Sequence, residues 1–170
     1  MKPNQWQKAF ELKALPRAGW IRKGIKHPES VAAHSWGLSM LCLEYAPRMH
    51  PKLNLEKVLK LALTHDVPEV LAGDITPHDG ISKAQKQYLE LNSAKSILNS
   101  SMFKLWLEYE KNESPEAKFV HAMDKIDMAL QAMLYQSQVD TTEFLRSAWQ
   151  NFPKEWRWIW YELSIDQPSI

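Results

Sequence analysis

Apolar residues in this chain recur at intervals of three and four, and strand-like alternation is weak throughout, so the chain must bury helical stripes rather than the faces of a sheet. From Ser30, a good N-cap, the run VAAHSWGLSMLCLEYA aligns Val31, Leu38, Leu41, Cys42 and Tyr45 until Pro47 ends it. A second helix opens near Asn54 and buries Leu55, Val58, Leu59 and Ala62. The turn-forming stretch GDITPHDG separates it from two more polar helices, Ser82 to about Leu98 and Met102 to Tyr109, both expected on the surface. Pro115 starts the strongest later helix, with a stripe of Phe119, Val120, Met123, Ile126, Asp127, Leu130, Met133 and Leu134. The fold class expected is an all-α, single-domain helical bundle spanning residues 1–170, without repeats or linkers.

At 170 residues and 45% hydrophobic content the chain can build one continuous core unaided. A net charge of +1 provides no broad field for nucleic acid or an anionic membrane, so neither is expected as a partner. One cysteine, Cys42, precludes an internal disulfide framework and sits in an apolar run, which suits a cytoplasmic protein. The N-terminal segment lacks the apolar stretch of a signal peptide, and no segment is long enough to span a bilayer.

The pattern breaks where chemistry is expected. The stripe Leu55, Val58, Leu59, Ala62 continues at the same spacing into His65, Asp66 and Glu69. Buried carboxylates need compensation, and a divalent cation supplies it. Pro68 cannot donate to the Thr64 carbonyl, so the helix should kink or restart there. His34 enters the first turn of its own helix, and Asp124 and Asp127 interrupt the Met123, Ile126, Leu130 stripe. Two imidazoles and two carboxylates suit one divalent ion, such as manganese, cobalt, iron, zinc or magnesium, with positions left for water and substrate. At this level Asp127 is equally a partner for the surface near Lys125, Glu69 a cap or a partner of Arg17 or Arg22, and His27, His50, His78 and His121 ordinary hydrogen-bonding histidines.

A histidine, then His-Asp, then a distant aspartate on a third helix resembles the signature of HD-domain hydrolases. The segments LKALPRAGWIRKGI, PESVAAHSW, LALTHDVPEVLAGDITPHDG, LWLEYE and PEAKFVHAMDKIDMALQA are similar to the HD-domain 5′-deoxynucleotidases, over about residues 11–135. The resemblance implies metal ligation by His34, His65, Asp66 and Asp124, catalysis by Glu69, and substrate contacts from Arg17, Trp20 and Asp74. It implies a nucleotide substrate, a nucleoside 5′-monophosphate, with Trp20 excluding a ribose 2′-hydroxyl, Asp74 accepting from the 3′-hydroxyl, and Arg17, aided by Arg22 or Lys23, holding phosphate. Other HD-type phosphohydrolase or phosphodiesterase reactions fit the same metal core, and a silent helical dimerisation module is the alternative outside enzymes. The tail after residue 136 carries Trp149, Trp156, Trp158 and Trp160 among Lys154 and Arg157. Packing on the bundle or a homodimer contact is expected there, rather than nucleic-acid stacking.

Overall fold

The computed structural model describes residues 2–167; residues 1 and 168–170, included in the expected domain, lie outside the described residues. Ten α-helices follow in order: α1 (Pro3–Phe10), α2 (Ala18–Arg22), α3 (Val31–Tyr45), α4 (Leu55–Thr64), α5 (Glu69–Ala72), α6 (Lys83–Ile97), α7 (Ser100–Lys111), α8 (Pro115–Tyr135), α9 (Thr142–Asn151) and α10 (Arg157–Glu162). Among the described residues the sole β-type pairing is an isolated antiparallel bridge, Pro16 to Ser30. The expected all-α architecture is therefore the one observed.

Local chemistry sets the helix ends. The Ser30 and Asn54 side chains accept hydrogen bonds from the backbone N–H groups of Ala33 and Lys57, starting α3 and α4. Ser114 does the same for Ala117 one residue before Pro115 opens α8. At Pro68 the helix restarts: α4 stops at Thr64, four residues turn, and α5 begins at Glu69.

The longest helix, α8, packs against α3, α4, α7 and α9, and Leu38, Cys42, Val58, Leu61, Phe119, Met123 and Ile126 meet in the main core. Two stripes differ from the sequence reading. On α4 the fully buried positions are Val58, Leu61 and Ala62, with Leu55 and Leu59 only partly covered. On α8 the buried face continues through Ala129 and Ala132, while Leu134 is 71% exposed. A pattern weighted towards large side chains passes over the alanines that permit close helix approach.

The polar helices α6 and α7 are not simply superficial. Ala94, Ile97, Leu98 and Trp106 join Leu12, Val31 and Val67 in a second core, so these helices wall one side of the HD turn. The aromatic tail also belongs to the bundle. Trp160 is fully buried and its Nε1 donates to the Ile165 carbonyl at 2.9 Å, while Trp156 meets Phe119 edge-on. His27, His50 and His78 are exposed rather than buried in the core. Trp160→Ala should cost about 3–5 kcal/mol of unfolding free energy in a denaturant titration. Leu134→Ala should change it by less than about 0.5 kcal/mol; equal effects would contradict this placement of the tail.

Candidate metal centre

Three helical segments bring the ionisable residues together. His34 lies in the first turn of α3, His65 and Asp66 in the turn after α4, and Asp124 midway along α8. His34 Nε2 is 3.2 Å from Asp124 Oδ1 and 3.6 Å from Asp66 Oδ2, and His65 Nε2 is 3.0 Å from Asp66 Oδ2. Both imidazoles are buried, at 1% and 4% exposure.

The outer nitrogens reveal how the rings are held. His65 Nδ1 lies 2.8 Å from the Ala62 carbonyl; a carbonyl only accepts, so Nδ1 carries the proton and Nε2 is left with a lone pair in the neutral ring. His34 Nδ1 lies 2.6 Å from Asp127 Oδ2, a carboxylate that accepts its N–H. Both Nε2 atoms are buried without a hydrogen-bond partner. Orphaned nitrogens facing two carboxylates are the donor set of a divalent metal site, with outer hydrogen bonds fixing each ring.

Asp127 thus sits on the far side of the His34 ring from Asp124 instead of pairing at the surface near Lys125. It orients His34, and Gly37 gives it room: a Cβ at residue 37 would lie 2.3 Å from Asp127 Oδ1. The glycine was readable in the sequence, but its meaning depends on the packing of α3 against α8.

Electrostatics follow the same geometry. Burial and the Arg17 charge push the His34 imidazolium down, but Asp124 and Asp127 more than offset them and raise it to about 9. Burial raises the Asp66 carboxyl, yet His65, His34 and Arg17 hold it below its ordinary range. Asp124, against the same burial penalty, is held well down by Lys125, His34 and Arg17. Glu69 is pushed well up, first by burial and then by the neighbouring Asp66 and Asp74 charges. Its Oε2 has no hydrogen-bond partner.

A cavity of about 480 Å³ opens beside the cluster, lined by Arg17, Trp20, His65, Asp66, Glu69, Asp74 and Asp124 among others. Arg17 arrives there because its N–H bonds the Glu29 carbonyl at 3.0 Å and Val31 N–H bonds the Leu15 carbonyl at 2.9 Å. Its guanidinium then reaches Asp66 Oδ2 at 3.5 Å. Asp74 Oδ2 accepts from Ala18 N–H at 2.7 Å, tying the turn after α5 to the start of α2. Trp20 reaches the cavity only at its margin: it is 2% exposed, its Nε1 donates to Glu29, and Tyr135 and Phe144 cover it. Arg22 and Lys23 pair with Glu143 at 2.5 and 2.9 Å, which occupies the charges expected to assist Arg17.

Sequence reasoning missed several lining residues, including Lys86, Glu90, Trp106, Tyr109, Glu110, Lys125 and Phe144. Those on α6, α7 and α9 carry no local signal. His121, half-buried against Tyr109, hydrogen-bonds the Tyr109 carbonyl at 3.0 Å and is the satisfied histidine expected.

A profile described as HD domain matches residues 9–156. The chain belongs to the HD-domain family. Among curated relatives, it is 40% identical over 133 residues to the Danio rerio protein named 5′-deoxynucleotidase HDDC2, covering 74% of this chain and 65% of that one. It is 41% identical over 139 residues to the Schizosaccharomyces pombe protein named 5′-deoxynucleotidase hdd1, covering 74% of this chain and 67% of that one. The chain therefore spans about two thirds of these relatives' length. Among solved structures, the PH0347 protein from Pyrococcus horikoshii OT3 superposes with TM-score 0.83 at 30% identity, covering 98% of this chain and 99% of that one. Among the described residues no helix is long and apolar enough to cross a membrane.

Metal binding must displace the His34 proton while Asp66 and Asp124 are already ionised. Apparent metal affinity should therefore rise about tenfold per pH unit from pH 7 towards 9 and level off above it. In the same titration Gly37→Ala should weaken metal binding about 10- to 100-fold by displacing Asp127. A pH-independent affinity, or an unaffected variant, would contradict these roles.

Proposed function

We propose that the chain is a metal-dependent 5′-deoxynucleotidase, hydrolysing deoxyribonucleoside 5′-monophosphates to deoxynucleoside and phosphate. The observation that carries this reading is the pair of orphaned imidazole nitrogens facing Asp66 and Asp124 at the wall of a nucleotide-sized cavity, with buried Glu69 and cationic Arg17 beside them. The names of the curated relatives support the substrate class.

His34, His65, Asp66 and Asp124 would hold one divalent ion, manganese, cobalt, iron, zinc or magnesium. Such an ion supplies Lewis acidity, making a nearby water nucleophilic near neutral pH and offsetting phosphoryl charge. The chain's own residues supply the rest. Arg17, kept charged by the surrounding carboxylates despite burial, binds the phosphate through its planar fork. Glu69 orients the attacking water or gives its carboxyl proton to the departing 5′ oxygen; its unpartnered Oε2 and raised pKa favour proton donation. Asp74 keeps one oxygen on Ala18 N–H and offers the other to the sugar 3′-hydroxyl. The Trp20 margin, stiffened by Glu29, Tyr135 and Phe144, is the wall against a 2′-hydroxyl.

Cytoplasmic action fits the single buried thiol of Cys42. A homodimer is the proposed assembly. Trp36, Met40 and Leu43, 67%, 48% and 43% exposed, form an outward stripe on α3, whose opposite face is already buried. A second copy carries the same stripe and is self-complementary to it. Sedimentation should give a dimer for the native chain and a monomer for Trp36→Glu; a monomeric native chain would refute the assembly.

Glu69→Gln should lower kcat for deoxyribonucleoside 5′-monophosphates by about 10²- to 10⁴-fold with metal affinity retained. His65→Ala should lose both metal and turnover. Phosphate release is expected to favour the deoxy over the ribo series, and full activity in Glu69→Gln would remove it from the chemistry.

A further inference from the structure

Lys125 follows the proposed ligand Asp124 directly in sequence, yet its side chain turns back along that carboxylate into the cavity. Nζ lies 2.8 Å from Asp124 Oδ2, and the side chain lines the cavity with 31% exposure. The two oxygens of Asp124 are therefore divided: Oδ1 faces His34 Nε2 at 3.2 Å, and Oδ2 faces the ammonium. On the other proposed ligand carboxylate, Asp66, the Arg17 guanidinium lies 3.5 Å from Oδ2, the oxygen that also faces both imidazoles. Each acidic ligand thus carries one cation on its cavity side.

Charge counting makes this arrangement informative. A divalent ion balances the carboxylates of Asp66 and Asp124. Arg17 and Lys125 are the cations that touch these two carboxylates, whereas Arg22 and Lys86, which also line the cavity, pair with Glu143 and Glu90. An ammonium has three donors, of which Asp124 takes one, and the Lys125 side chain lines the cavity. A phosphomonoester above its second pKa of about 6 carries two negative charges and three terminal oxygens; a phosphodiester carries one charge and two such oxygens.

We propose that Lys125 is a phosphate-binding residue that, opposite Arg17, matches the site to the dianion of a phosphomonoester and against diesters. This rests on the hydrolase reading above and sharpens its substrate class. The role needs only the placement of a permanent positive charge, with Asp124 acting as its tether.

The test uses metal-loaded protein with inorganic phosphate and dimethyl phosphate as probes, and metal affinity is measured separately. Native protein should bind phosphate at pH 7.5 at least tenfold more tightly than dimethyl phosphate. Lys125→Gln should weaken phosphate binding and raise the KM for a deoxyribonucleoside 5′-monophosphate about tenfold to hundredfold, leaving metal affinity within twofold. Lys125→Arg should recover most of the loss. Unchanged phosphate binding in Lys125→Gln, or weakening that merely tracks lost metal, overturns the proposal while leaving the hydrolase reading intact. Native metal-loaded protein that neither binds phosphate nor hydrolyses a monophosphate overturns both.

Discussion

Two imidazoles and the Asp66 carboxylate share a space of a few ångströms in the interior, Asp124 adjoins them through His34, and both inward-facing nitrogens lack partners. Leaving such groups buried and uncompensated is costly, and much of the surrounding architecture limits their freedom. The Ala62 carbonyl and Asp127 hold the outer nitrogens, Lys125 holds the outer oxygen of Asp124, Arg17 approaches the imidazole-facing oxygen of Asp66, and α3, α4 and α8 supply the apolar walls.

That dependence explains features that otherwise look incidental. Gly37 lets α3 approach α8 closely enough for Asp127 to reach His34. The short pairing of Leu15 and Arg17 with Val31 and Glu29 delivers a guanidinium from outside the main bundle to the metal-facing cavity. The second core formed by α6 and α7 with Leu12, Val31 and Val67 closes the side of the HD turn that the main bundle leaves open. Packing and electrostatics therefore meet at the same few contacts.

The site was unevenly legible in the sequence. His65, Asp66 and Glu69 stood out because they extend an apolar stripe, and resemblance supplied the choice of Asp124 over Asp127 that spacing left open. The structure brings Asp124 to His34 while giving Asp127 the other side of the same ring. Trp20 illustrates the opposite difficulty. Its composition suited core and pocket equally, and it occupies the boundary, buried beneath Tyr135 and Phe144 with a margin on the cavity. Arg22 and Lys23 looked like companions of Arg17, but Glu143, distant in sequence, pairs with both.

Helix class, the starts of α3, α4, α6 and α8 and the residue types able to hold a divalent ion followed from the sequence alone, because capping, proline geometry and three-and-four spacing act within a few residues. The Leu61 and Ala129–Ala132 contacts, the two-sided grip on His34, and the cations on Asp66 and Asp124 were decided only by tertiary structure. Each joins groups tens of residues apart or depends on which way one side chain turns, and local periodicity does not encode either.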